Sequence, residues 1–152
     1  MSQTMISIQL ASHEHGDAIA NIFTQSRKLL TFLPELHTAA EDKAFIKNSV
    51  LLEKTVHVAI IDNEIVGFIA WGDGWIDHLY VAPAFTDRQI GSRLLQQALE
   101  DTASLRLWTF QKNHGAQRFY ERFGFTVETQ TDGADNEEKE PDMLYIWNRP
   151  SD

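Results

Sequence analysis

Three features of this 152-residue chain predict an α+β domain on a twisted, largely antiparallel sheet with one parallel pair. The runs "VHVAIID" (56–62) and "EIVGFIAWG" (64–72) flank Asn63 as a tight hairpin, and "WIDHLYV" (75–81) extends it into a meander. A strand, an amphipathic helix and a second strand then follow between 75 and 110, an order that makes a right-handed crossover with its two strands parallel. Two last strand-like runs, "FTVETQT" and "MLYIWN", close the chain around an acidic loop.

In chain order, "MISIQL" (5–10) alternates and is rich in β-branched residues, so it reads as the first strand. Ser12 stands as N-cap of a helix carrying Ile19, Ile22 and Phe23 on one face. Pro34 interrupts the pattern within "TFLPELHT". Thr38 with Glu41 three residues on forms a capping box for a second helix, with Phe45, Ile46 and Val50 at helical spacing. From Gln89 to Glu100 the residues Ile90, Leu94, Leu95, Ala98 and Leu99 share one stripe, a third helix. "SLRLWTF" (104–110) is a strand, and a fourth helix runs from about Gly115 to Phe123 with Gly124 as its cap. The sum is about seven strands and about four helices in one domain, 1–152, without repeats or linkers.

Composition narrows the function. The 43% apolar content suits one compact core, and no apolar run approaches the roughly 20 residues a membrane span needs. The start "MSQTMISIQLASHEHGD" lacks a signal-peptide pattern, so the expectation is a soluble cytoplasmic protein without membrane association. A formal charge of −9 disfavours nucleic-acid binding, and the absence of cysteine removes thiolate metal sites and a cysteine nucleophile. Six scattered histidines, with "SHEHGD" the only local cluster, predict no metal site. Six acids and one lysine crowd "DGADNEEKEPD" (132–142); this reads first as a solvated loop and second as a lip attracting a cationic amine.

The run "WIDHLYVAP" breaks at Pro83, and the stretch "AFTDRQIGSRLLQQALE" (84–100) that follows enters a helix through Gly91, with a basic residue on either side. A helix N-terminus offers unpaired N–H groups and partial positive charge, which suits a phosphate. Gly91 permits close approach, Ser92 adds a hydroxyl, and Arg88 and Arg93 add charge; taken alone, Gly91 serves helix packing equally well.

A second segment, "NHGAQRFYERFGF", places Asn113, Ala116, Phe119, Tyr120, Gly124 and Phe125 in the order N-x-x-A-x-x-F-Y-x-x-x-G-F. This resembles a conserved segment of the GNAT superfamily of N-acetyltransferases at all six positions. The Gly91 turn resembles the acetyl-CoA loop of the same superfamily, R/Q-x-x-G-x-G/A after a strand ending V-x-P. Val81, Pro83, Ile90, Gly91, Leu94 and Leu95 match, whereas Thr86 stands where Arg or Gln is usual and Gln89 replaces the first glycine.

The resemblance implies a GNAT-like fold in which the parallel strands splay apart around acetyl-CoA, used as cosubstrate. Its pantetheine arm would pair with the backbone near Leu79 and Val81, its diphosphate would sit on Thr86, Asp87, Arg88, Gln89, Ile90, Gly91 and Ser92, and Asn113, Ala116 and Phe119 would form the other wall. The acetyl group would pass directly to a primary amine of a small molecule or peptide, the oxyanion held by a backbone N–H near Leu79 and the thiolate protonated by Tyr120. Asp77 and His78 are alternative bases, on opposite faces by strand alternation, acting directly or through water; Asp73 is a third, and His37 is placed to touch the acceptor. The altered loop leaves a non-catalytic acyl-CoA sensor or scaffold as the alternative. A homodimer is also open, since many members of the superfamily pair through late strands.

Overall fold

In a computed structural model, which describes residues 5–86 and 88–151, the elements follow the expected order. Strand β1 (Ser7–Leu10) leads through a 3₁₀ turn (His13–His15) into α1 (Gly16–Lys28). The turn arises because the Ser12 N–H donates to His15 Nδ1 at 3.0 Å, tightening the entry ahead of the helix expected directly after Ser12. Helix α2 (Ala39–Phe45) starts at the expected capping box: Glu41 N–H donates to Thr38 Oγ1 at 3.1 Å, and Thr38 N–H to Glu41 Oε1 at 2.8 Å. It runs on through a π turn (Ile46–Val50) into α3 (Leu51–Glu53), a single helical body that buries Ile46 and Val50 as their spacing predicts.

The meander is β2 (Thr55–Ile61), β3 (Glu64–Gly72) and β4 (Trp75–Val81), the first turn made by Asp62 and Asn63, both at positive φ. Helix α4 (Ile90–Glu100), β5 (Ser104–Phe110), α5 (His114–Arg122), β6 (Thr126–Gln130) and β7 (Asp142–Asn148) complete the chain. The sheet order is β1-β2-β3-β4-β5-β7-β6, antiparallel throughout except for β4 beside β5.

Apolar side chains fill both faces. Against α4 and α5 lie Ile69, Trp71, Ile76, Leu105, Leu107 and Tyr145; α1 and the α2–α3 body cover Val56, Val58, Phe68 and Ala70. Burial of each such side chain contributes roughly 1.5–3 kcal/mol, so both helical layers are firmly seated. Helix α4 approaches β3 closely at Gly67, where a Cβ would stand 3.1 Å from both Leu94 Cδ1 and the Tyr80 carbonyl. Its far end is held by Arg149, whose Nη2 donates to the carbonyls of Leu99 and Glu100 at 2.6 and 2.9 Å, a cation at a helix C-terminus. Helix α5 is fixed at its start by Asn113 Oδ1, which accepts from Ala116 N–H, and near its end by the Tyr145 hydroxyl, which donates to Glu121 at 2.6 Å. Gly124, at φ +94°, ends it as expected. No described helix is long and apolar enough to cross a membrane.

Candidate active site

Strands β4 and β5 meet only at their start, where Trp75 pairs with Arg106 and the Arg106 N–H donates to Gly74 at 2.9 Å. Beyond that point they part. The Ala82 N–H donates to Val66 at 2.7 Å, so Val66 and Ala82 form a hydrogen-bonded pair. By antiparallel alternation the peptide groups of Leu79 and Val81 therefore point away from β3 and into the gap. One of them has a partner, since Ser26 Oγ donates to the Val81 carbonyl at 3.3 Å.

Two cavities flank this edge. A depression of about 590 Å³ is lined by Val81, Phe85, Thr86, Gln89–Ser92, Gln96, Phe119, Arg122 and Phe123. At its base α4 begins without a side-chain cap, and among the described residues no acceptor meets the amides of Ile90, Gly91 or Ser92. Gln89 takes the left-handed conformation there (φ 63°, ψ 15°), so it adopts the backbone a glycine would supply and the turn still forms. A Cβ on Gly91 would lie 3.5 Å from Phe119 and 3.7 Å from Val81, so this residue borders the depression without a side chain to fill it. Thr86 lines it with its hydroxyl turned back to the Pro83 carbonyl at 3.3 Å. Arg88 lies over the Phe85 ring at 5.3 Å, and neither it nor Arg93 lines the cavity. Asp87 is outside the described residues. Ile90 sends its side chain into the core, leaving its amide for the depression. Asn113 spends its side-chain oxygen on the α5 cap, and Ala116 packs against the core rather than lining the cavity.

The second cavity, a groove of about 790 Å³, lies between α1, the 29–38 linker, α2 and the β6–β7 loop. Phe23, Phe45 and His78 contribute aromatic walls, and Glu35, Glu41, Asp42, Glu137 and Glu138 contribute carboxylates. Edge-on contacts set the His78 ring against Phe23 at 5.3 Å and Phe45 at 5.7 Å. Burial, reinforced by the positive charges of Arg27 and Lys54, lowers its pKa to about 4, so His78 is neutral at pH 7. Strict alternation does not govern this strand. Ala70 pairs with His78 but Trp71 with Ile76, so Asp77 is the extra residue of a β-bulge. Its carboxylate is bound to Lys54 at 3.3 Å and does not line the groove, whereas His78 does. Asp73 is exposed in the turn at the opposite end of β4.

Tyr120 is 9% exposed between Phe119 and Phe125, and burial, with Tyr80 as the second cause, pushes its phenol above the usual tyrosine range. Tyr80 was not singled out by sequence. Burial raises its pKa as well, against the opposing effect of the Arg27 guanidinium beside it. Burial works against the charge of Arg27, but Tyr80 and Glu138 outweigh it and hold the guanidinium protonated.

The 132–142 loop is solvated only in part: Asp132, Asp135 and Glu137 are exposed, while other acids of the loop are drawn into ion pairs. Glu138 binds Arg27 at 3.2 Å, Glu137 binds His37 Nε2 at 2.5 Å, and Glu140, 8% exposed, accepts from Lys112 at 3.3 Å. The loop is thereby tied to α1 and the linker and walls one end of the groove. His37 lines the groove, where its ring stands between Glu137 of this loop and Glu41 Oε2 at 3.9 Å.

An open sheet forked at one parallel pair, with an uncapped helix at the fork and a cavity on each side, defines the acetyltransferase class of fold. The family model described as the acetyltransferase (GNAT) domain matches residues 53–127, and the chain belongs to the GNAT superfamily of N-acetyltransferases. YafP, an uncharacterized N-acetyltransferase of Escherichia coli K12, is 38% identical over 81 residues, 53% of this chain and 52% of YafP. The chain thus spans about half the length of the first curated relatives it matches. YjaB of Salmonella typhimurium, named a peptidyl-lysine N-acetyltransferase, is 29% identical over 125 residues, 81% of this chain and 85% of YjaB. The solution structure of apo YjaB from Escherichia coli superposes with a TM-score of 0.77 at 25% identity, covering 94% and 97% of the two chains. The fold is shared too with yncA of Salmonella typhimurium, solved with its cofactor acetyl-CoA: TM-score 0.72, 17% identity, 97% of this chain and 95% of that one.

Proposed function

We propose that this protein transfers the acetyl group of acetyl-CoA to a primary amine of a small molecule or peptide. The observation that carries the reading is the unpaired β4 edge at Leu79 and Val81, which runs between a depression with free helix amides and an aromatic, acid-rimmed groove. The residues suit the cosubstrate: amides of Ile90, Gly91 and Ser92 for a phosphate, and the free strand edge for an amide-bearing arm. When bound, acetyl-CoA supplies an activated acyl group.

The chain's own residues then have distinct tasks. An N–H on the forked edge, at Leu79, donates to the acyl oxygen as it gains charge. Tyr120, which stays protonated at any physiological pH, donates to the departing sulfur. Neutral His78 faces the groove, where its ring nitrogen accepts a hydrogen bond from the amine or from a water; its lowered pKa makes it a weak proton acceptor, and Asp77 is held by Lys54. The carboxylates around the groove favour a cationic acceptor over an anionic one, and the name of YjaB supports a lysine-like amine among such acceptors.

Calorimetry with acetyl-CoA, coupled to a thiol-release screen over polyamines, amino acids and lysine peptides, tests the reading. Micromolar binding together with amine-dependent thiol release is expected. Binding without release from any amine would favour the sensor, and absence of binding would remove both.

A further inference from the structure

Resting on the acetyl-CoA reading, we infer that Arg122, the last residue of α5, supplies the side-chain cation that holds a phosphate of the cosubstrate. Sequence spacing assigned that part to Arg88 and Arg93. Among the described residues lining the depression, Arg122 is the only Lys or Arg. Its guanidinium lies over the Phe119 ring at 5.8 Å, and Phe119 itself lines the cavity, so the aromatic face steers the charge along the cavity wall. Among the described residues no carboxylate comes within 4.0 Å of it. Arg88 lies over Phe85, which also lines the cavity, but its own side chain does not reach the lining.

The chemistry of the opposite wall makes a cation necessary. Thr86, Gln89, Ser92 and Gln96 are neutral, and the start of α4 contributes only about half a positive charge. A phosphate entering the depression carries at least one full negative charge. Arg122 closes that imbalance from across the cavity, and its planar fork binds two phosphate oxygens at once, which a lysine does not match. The anion is thereby clamped between the beginning of one helix and the end of another. This arrangement also explains how the loop functions with Thr86 in place of a basic or amide side chain.

The test is calorimetric, on wild type, Arg122→Gln and Arg122→Lys, titrated with acetyl-CoA, its 3′-dephospho form and phosphate-free acetyl-pantetheine. Arg122→Gln is expected to weaken acetyl-CoA binding about tenfold to a hundredfold, the range for a lost charge-assisted hydrogen bond. It should leave acetyl-pantetheine affinity and the thermal midpoint unchanged, while Arg122→Lys recovers part of the loss. A loss that persists with the dephospho form assigns the diphosphate, and one that vanishes assigns the 3′-phosphate. Acetyl-CoA affinity within about twofold of wild type, or an equal loss with acetyl-pantetheine, overturns the assignment while the acetyltransferase reading stands. Failure of the wild type to bind acetyl-CoA overturns both.

Discussion

Replacing His78 by Phe is expected to flatten the acid side of the stability profile. The imidazole sits on β4 among Phe23, Phe45, Phe68 and Tyr80, with Arg27 of α1 and Lys54, which follows α3, as the cations that oppose its protonation. In the unfolded chain it takes a proton near pH 6.5; in the folded protein it resists until about pH 4. Between those values the unfolded state binds more protons, so stability is complete above about pH 6.5 and falls as the pH drops toward 4. At about 1.4 kcal/mol per pH step, the interval from 6.5 to about 4 amounts to roughly 3 kcal/mol lost by the wild type and not by His78→Phe. Asp17 and Glu41, whose pKa values are lowered mainly by hydrogen bonds from Lys47 and from the Thr38 backbone, add to acid destabilisation in both proteins. They cancel in the difference. Urea midpoints from pH 4 to 7.5 on the two proteins measure it; parallel curves, differing by less than about 0.5 kcal/mol across the window, would refute the buried, cation-flanked placement.

Tyr120→Phe should cut turnover by about a hundredfold or more if the phenol donates to sulfur, with acetyl-CoA affinity intact by calorimetry; unchanged turnover removes that role. Gly91→Val places methyl groups in the depression beyond the 3.5 Å contact with Phe119, so acetyl-CoA affinity should fall at least about tenfold while the melting curve stays within about 1 kcal/mol of wild type. Gln89→Gly should stabilise by about 0.5–1 kcal/mol, because relief of a left-handed non-glycine residue exceeds the entropy glycine adds to the unfolded chain. Denaturant melts decide it, and a loss of stability would mean the Gln89 side chain makes a contact that outweighs the backbone cost.

The fold was legible because its signals are local. Asp62 and Asn63 accept positive φ at the hairpin, Thr38 and Glu41 are close enough in sequence to announce their own capping box, and the α4 stripe repeats at helical period over one short segment. Departures came where a neighbour in space changed a local preference. The π turn at Ile46–Val50 has no propensity signature, and the bulge at Asp77 is a shift in the β3–β4 pairing, which a period-two reading of "WIDHLYV" cannot register.

The site divides along the same line. Gly91, Ser92 and Phe119 line the depression where motif and helix spacing bring them together, whereas Arg27 and Tyr80 take their surroundings from partners on other elements, and the place of Arg122 on the cavity wall emerges only once α5 is set beside α4. Arg27 meets Glu138 across 111 residues of sequence, and His37 meets Glu137 across 100. Within "DGADNEEKEPD" nothing marks which carboxylates have partners, so a composition reading returns a solvated loop. On the proposed reading, the pairing removes Glu138 as a free attractor for a cationic acceptor and leaves that duty to Glu35, Glu41 and Asp42 along the groove. Because Arg27 also stands beside Tyr80, the tie that closes the groove on one side bears on the phenol next to the forked strand on the other. On the proposed reading, removing Glu138 therefore disturbs both the wall that would receive the amine and the strand that would present the thioester, so KM and kcat are expected to change together, whereas neutralising Glu35 is expected to change KM alone.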